Sequence, residues 1–292
     1  YGTWGDMGQG ADIGVLAYTH EALKPLGLKP EQIHLVMNDT DTCPDSGRTA
    51  ASRNNLMTGQ ATADGAKKML EAMRKNDGTY RTYEEMISEG LPTKFIGTFT
   101  QPVNDKLNEN DGFGKFPPDQ SYAGFIAEVK VNTETGEVEV TAMHCVSDVG
   151  KVTNWLSLEG QALGGMLHSI GYALSENYYD FKKHNNLIGS GFPYIKDVPD
   201  DENFTLKNLE TERDYAAFGG TGISEGYQSS GHVAILNAIY NAVGVRIGML
   251  PATADKVKAA LEAKANGTYK EQEPFYFGRD FHEYLDYIEK NP

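Results

Sequence analysis

The sequence predicts an α+β fold, with mixed sheets and helices packed against them, and three observations carry that prediction. An alternating apolar hairpin occupies residues 125–142, and several other stretches carry helical periodicity. The two kinds of element do not follow one another in the regular strand–helix–strand order of a parallel sheet. With 292 residues, 39% of them hydrophobic, the chain can bury a substantial core as one or two domains.

Taken in order, residues 11–23 follow a glycine turn and read as a helix, broken by Pro25, which lacks the N–H a helix needs. The short apolar run 33–37 is expected to be a strand. It runs into NDTDTCPDSGRTAASR, whose Asp, Thr, Ser, Pro and Gly show no periodicity and predict a loop. Leu56, Ala63, Ala66, Leu70 and Met73 then recur at near-helical spacing, predicting a helix over 55–74. Residues 76–120 are rich in Gly, Pro, Asn and Asp and are expected to be mostly irregular.

The clearest local signal comes next. Phe125, Ala127, Val129 and Val131 alternate with other residues, as do Val138, Val140 and Ala142, around a Glu134-Thr135-Gly136 turn. Helices are predicted over 157–175, 233–243 and 254–265, the last with Thr253 as its cap, Asp255 in its first turn and Gly267 beyond its end. No repeat or linker interrupts the chain, and any division into two subdomains is expected near 120–150.

Charge and cysteine usage exclude several classes. A net charge of −15 leaves nothing to neutralise phosphates, so a general nucleic-acid binder is excluded. No apolar run is long enough to span a bilayer, and no membrane partner is expected. Cys43 and Cys145 form no C-x-x-C pattern, which predicts a reducing, cytoplasmic setting and no iron–sulfur or zinc site on this chain. The seven histidines make no H-x-x-x-H pair, so no protein-ligated metal is expected. The chain starts at Tyr1 with Gly8-Gln9-Gly10 close behind, which suggests a fragment or one subunit of a divided enzyme.

Four segments carry candidate chemistry. In FGGTGISEGYQSSGH, Ser224 sits in a G-x-S-x-G pattern, and Asp280 and His282 follow in hydrolase order. A nucleophile elbow needs a buried strand before the serine, whereas ERDYAAFGGTG is polar and then glycine-rich. The neighbouring Glu225 lies among glycines ahead of an apolar helix; shielded from water it would be a stronger base, and otherwise it is a loop glutamate or a cap. Gly8-Gln9-Gly10-Ala11-Asp12 opens the first helix, where backbone N–H groups can meet an anion, or simply turn the chain. Ile13 in place of the last glycine excludes the dinucleotide fingerprint. Thr49-Ala50-Ala51-Ser52-Arg53-Asn54-Asn55 gathers hydroxyls, amides and a guanidinium suited to phosphate, or to an N-cap through Ser52 or Asn54. Gly160-Gln161 with Gly164-Gly165 either admits a ligand or marks close helix packing.

In this order GQGAD, NDTDTCPDSGRTAASR, DVGKVTNWLSLEGQALGGMLHSIGYAL, and GTGISEG followed by HVAILNAIYNAVGVRIGMLPAT resemble the C-terminal molybdopterin-binding region of the xanthine oxidase family. The likeness is above all to bacterial aldehyde oxidoreductases that carry molybdopterin cytosine dinucleotide, and it extends over 1–292, including the tail FYFGRDFHEYLDYIEKNP. The resemblance implies a molybdenum held by the pterin dithiolene, with no protein ligand. It puts Gly8, Gln9, Gly10 and Ala11 beside the cofactor, Thr49, Ala51, Ser52, Arg53, Asn54 and Asn55 at its pyrophosphate and nucleotide, and Leu156, Ser157 and Gln161 at the dinucleotide. Glu225 matches the family's general base, which takes the proton of a molybdenum-bound hydroxyl as an aldehyde becomes a carboxylic acid with water-derived oxygen; Ser224 is then a bystander. The family's iron–sulfur clusters and the other half of the molybdenum region are implied elsewhere, on a missing part or partner, in an enzyme expected to be a homodimer when complete. Alternatives are a purine or nicotinate dehydrogenase of the same family, or a truncated domain without activity. Many members have glycine directly before the glutamate, where this chain has Ser224, a variation like the aldehyde branch.

Overall fold

The computed structural model describes residues 1–101, 108, 114 and 120–271. Asp280, His282 and the aromatic tail lie outside the described residues. The predicted hairpin forms the centre: β1 (Tyr122–Val131) pairs antiparallel with β2 (Val138–Asp148). A third strand, β3 (Phe204–Leu209), lies parallel to β2 on its other side, giving the order β1-β2-β3. Only Phe204 and Leu206 supply its inward apolar positions, too little patterning to mark it in the sequence.

The register of the hairpin shifts between Glu128 and Val129, leaving Thr141 without a partner on β1. This bulge re-phases β2. Phe125, Ala127, Val129 and Val131 therefore face Cys145, Met143, Val140 and Val138, while Ala142, expected on that face, lies opposite Glu128.

Two helices cover the inward face. α4 (Trp155–Leu174) presents Ala162, Met166, Ile170 and Ala173 at helical spacing, and α5 (Gly231–Val243) presents Ile235 and Ile239. With Met143 and Cys145 these form a core in which none is more than 2% exposed. Burial pushes the Cys145 thiol up to about 12, so it packs as a neutral apolar group. The 3-10 turn Ser224–Gln228 presses on α4: a Cβ on Gly165 would lie 2.6 Å from Tyr227 Cβ. Tyr227 is fully buried, and its hydroxyl hydrogen-bonds with Ser147 of β2 at 3.0 Å. Gly165 is thus a packing glycine, whereas Gly160 and Gly164 face open space.

A second layer joins α1 (Ala11–Ala22) to α2 (Arg53–Met73). Ala11, Val15 and Tyr18 form the buried stripe of α1, and Gly59 of α2 lets Tyr18 approach, with a Cβ there only 3.2 Å from Tyr18 Cε2. Tyr18 also stacks on Phe218, ring centroids 5.3 Å apart, which binds this layer to the loop before Ser224. The strand expected at 33–37 does not form. Gly2 alone bridges Met37, with no neighbouring strand to extend the ladder. The irregular stretch expected at 76–120 contains a short helix, α3 (Tyr83–Ser88), started by a Thr82–Glu85 capping box. Finally α6 (Ala254–Ala265) closes the core with Val257; Thr253 holds its N-cap position without accepting a cap hydrogen bond.

At the end of β2, Asp148 ties the loop that follows β3 back to the sheet. Burial by itself would raise its proton affinity, but bonds from the Thr211 hydroxyl, the Gly150 N–H and Arg213 outweigh that and hold its carboxyl well below the usual carboxylate range. Arg213 Nη2 donates to Asp148 Oδ1 at 2.9 Å, with side-chain exposures of 14% and 17%.

Two stability predictions follow from this packing. Gly165→Ala gains helix propensity of roughly 1 kcal/mol, but Tyr227 and its backbone block the new methyl, so a net loss of about 1–3 kcal/mol is expected in thermal unfolding. Because the Asp148 pKa is depressed on folding, its contribution is present above about pH 4, the unfolded value, and is lost as pH falls below it. Asp148→Asn should therefore lower the melting temperature at neutral pH, and the gap to the parent should begin to narrow below about pH 4 and shrink progressively as pH falls further toward the depressed folded value.

Candidate active site

Four segments converge on a cleft of about 480 Å³: the turn before α1, the start of α2, residues 149–161, and the loop 221–225. Backbone pairing brings the last two together. Thr221 N donates to Val149 O at 2.8 Å and Lys151 N to Gly219 O at 2.8 Å, either side of a Gly150–Gly220 bridge. α2 reaches the same loop from the opposite wall, with Asn55 Nδ2 donating to Gly220 O at 2.9 Å and Asn55 Oδ1 accepting from the Tyr18 hydroxyl.

The junction at 49–55 has an unusual backbone. Ala51 and Ser52 take φ of 53° and 54°, a left-handed conformation that costs a non-glycine residue about 1 kcal/mol or more each. That kink aims Ser52 across the cleft. Its hydroxyl does not cap α2, as one reading expected; it donates to Glu225 Oε2. Gly222 permits the approach, since a Cβ there would lie 2.7 Å from Ser52 Cβ. Thr49 Oγ1 accepts from Gly5 N at 2.8 Å and from Asn54 Nδ2 at 3.3 Å. Arg53 Nη1 donates to Ser46 O at 3.1 Å, Arg48 O at 2.9 Å and Asn54 Oδ1 at 3.2 Å, so part of this guanidinium braces its own loop.

The glycine turn holds its own anion. Asp6 Oδ1 accepts from Gly8 N at 2.7 Å and Gly10 N at 3.4 Å, bonds that hold its carboxyl below the usual range despite some burial. The N–H groups expected to greet an anionic ligand are therefore already engaged. Gln9 is likewise tied at both ends, donating to Gly5 O at 2.8 Å and accepting from Met7 N at 2.7 Å. Gly10 allows close contact with α4, where a Cβ would lie 2.9 Å from Ser157 Oγ. Asn154 caps that helix by accepting from Ser157 N at 3.1 Å.

Of the residues singled out in the sequence, Gly8, Gln9, Gly10, Ala11, Thr49, Ser52, Arg53, Asn54, Asn55, Ser157, Gln161 and Glu225 line this one cleft. Ala51 is not in its wall, where Ala50 stands instead, and Leu156 is 81% exposed outside it. Glu225 is exposed rather than shielded as one reading expected. Ser224 has no strand before it, only isolated bridges, and opens a 3-10 turn, so the nucleophile-elbow geometry is lacking. Trp4, Lys151, Thr153 and Thr221 also line the cleft without having been marked. For Lys151 the available signal is its place in DVGKVTN, between the end of a predicted strand and a predicted helix. Among the described residues no three His, Cys, Asp or Glu side chains gather to hold a metal.

Residues 1–199 match the molybdopterin cofactor-binding domain family, with Glu225 lying beyond that match. An aldehyde oxidoreductase of Megalodesulfovibrio gigas is 42% identical over 260 residues, covering 89% of this chain and 28% of that protein. A probable hypoxanthine oxidase, XdhD of Escherichia coli K12, is 28% identical over 275 residues, or 87% of this chain and 28% of its own. The crystal structure of the aldehyde oxidoreductase from Desulfovibrio desulfuricans ATCC 27774 superposes with a TM-score of 0.84 at 42% identity, over 89% of this chain and 28% of that one. The chain thus spans 28% of the length of these relatives. It belongs to the molybdopterin cofactor-binding domain family, within the xanthine oxidase group that its motifs resemble.

Proposed function

We propose that this chain is the cofactor-cradling part of a molybdenum hydroxylase that oxidises an aldehyde to a carboxylic acid, with Glu225 as its general base. The observation that carries the reading is the Ser52–Glu225 contact, which joins a candidate phosphate-binding junction to a carboxylate across one cleft. The donor set fits the group. The walls offer hydroxyls, amides, glycine backbone and two cations but no cluster of metal ligands, so a metal in this cleft would arrive with its own, as a pterin-bound molybdenum does. When bound, the molybdopterin supplies the two-electron redox step and the transferable oxygen.

The chain's own residues do the rest. Gly8, Gln9, Gly10 and Ala11 form the wall against the pterin; Thr49, Ser52, Arg53, Asn54 and Asn55, with Ser157 and Gln161, hold the pyrophosphate and a cytosine nucleotide. Ala51 acts through its backbone kink and Leu156 through the start of α4. Glu225 accepts a proton, and the Ser52 hydroxyl fixes which carboxylate oxygen is presented. The 42% identity to an aldehyde oxidoreductase, against 28% to the hypoxanthine oxidase, supports an aldehyde substrate. The remaining molybdenum region and the iron–sulfur clusters belong to the rest of a cytoplasmic, homodimeric enzyme and complete the shielding of Glu225.

In the complete protein Glu225→Gln should retain molybdenum and nucleotide while aldehyde turnover falls by about 10²–10⁴-fold; turnover near the parent's rate would remove Glu225 from the reaction. Arg53→Ala should release the 46–54 loop and lower the nucleotide retained per chain, with the loaded fraction turning over at close to the parent's rate. Nucleotide analysis beside single-turnover kinetics separates the two effects.

A further inference from the structure

The charge in this cleft runs against that of the chain. In a protein of net charge −15, the ionisable lining residues are Arg53, Lys151 and Glu225, two cations to one carboxylate. The cations differ in what they have left to give. Arg53 Nη1 is committed to Ser46 O, Arg48 O and Asn54 Oδ1. Lys151 is exposed, and its ammonium makes no hydrogen bond or ion pair among the described residues. The carboxylates on its flank are engaged elsewhere: Asp148 with Arg213, Thr211 and Gly150, and Glu210 with Val152 N at 3.3 Å.

The root of Lys151 is nevertheless fixed. Its N–H donates to Gly219 O at 2.8 Å, beside the Gly150–Gly220 bridge, and a Cβ on Gly219 would lie 3.5 Å from Lys151 Cβ. Thr153, Asn154 and Ser157 continue the same wall with neutral polar groups. A long, uncommitted ammonium on a rigid base, next to hydroxyls and amides, suits an anion whose oxygens it can follow as a point charge.

We propose that Lys151 also pairs with a phosphate of the bound cofactor, supplementing Arg53, whose Nη1 is partly spent on bracing its own loop. The assignment rests on the cofactor reading above. It explains how an acidic chain retains a polyanionic ligand without a basic surface.

The test uses the complete protein, purified with its cofactor, and Lys151→Met and Lys151→Arg variants. First-order loss of nucleotide and molybdenum is followed at low salt and at about 0.5 M salt, where exposed pairs are largely screened. Lys151→Met should lose nucleotide about tenfold faster than the parent at low salt and respond less to added salt, and Lys151→Arg should stay within about threefold. Loss from Lys151→Met at the parent's rate overturns the assignment. So does an equal acceleration in both variants with a matching fall in melting temperature, which would make Lys151 a structural residue. A raised KM for aldehyde with unchanged nucleotide loss overturns it in favour of a substrate contact. Parent protein isolated with neither molybdenum nor nucleotide would instead overturn the cofactor reading on which it rests.

Discussion

The backbone pairing of residues 149–151 with 219–221 is the constraint on which the rest of the cleft depends. It is short, a single bridge flanked by two hydrogen bonds, yet it joins the end of β2 to the loop that carries Glu225. Its geometry is set by Gly150, left-handed at φ 67°, where a Cβ would lie 2.8 Å from Arg213 Cδ. Arg213 in turn is held by Asp148 at the same strand end. A carboxylate on a glycine-rich loop would otherwise sample many positions, and each ordered backbone residue costs about 1–2 kcal/mol of conformational entropy. That cost is offset by the buried strand end and by Tyr227, fully buried within the same turn as Glu225 and hydrogen-bonded to Ser147 of β2.

The opposite wall is built on a different principle. The start of α2 uses two left-handed residues, Ala51 and Ser52, where glycine would be easier. The strain is stabilised by a dense local set of bonds from Arg53, Asn54 and Thr49, and it directs a hydroxyl across the gap to the carboxylate. Locally strained backbone held by its surroundings commonly marks a working site. One wall is therefore ordered by sheet pairing and the other by side-chain bracing, and Ser52 and Glu225 are where the two meet.

Elements with strong period were legible in the sequence, and those made by tertiary partners were not. The hairpin and α1, α2, α4, α5 and α6 follow from alternation, helical spacing and glycine or proline punctuation. β3 exists because β2 offers it an edge, and 33–37 makes only the single Gly2–Met37 bridge among the described residues, with no strand edge to extend it. The bulge at Thr141 changes which of Ala142 and Met143 faces the core, and period alone cannot register it. The site divides the same way. Glycine turns and the polar junction at 49–55 stood out by composition. The engagement of Gly8 and Gly10 by Asp6, the commitment of Arg53 and the freedom of Lys151 depend on contacts that only the fold creates.

The exposure of Glu225 fits this division of labour. The described residues build the floor of the cleft and leave the Glu225 side chain exposed. The chain spans 28% of the length of the aldehyde oxidoreductase it matches. The floor is held by bonds between the chain's own groups: Asn55 to Gly220, Arg53 to Ser46 and Arg48, and Gly8 to Asp6. Loops already tied by internal bonds give up little further conformational entropy to a group that enters the cleft, which lowers the cost of binding there.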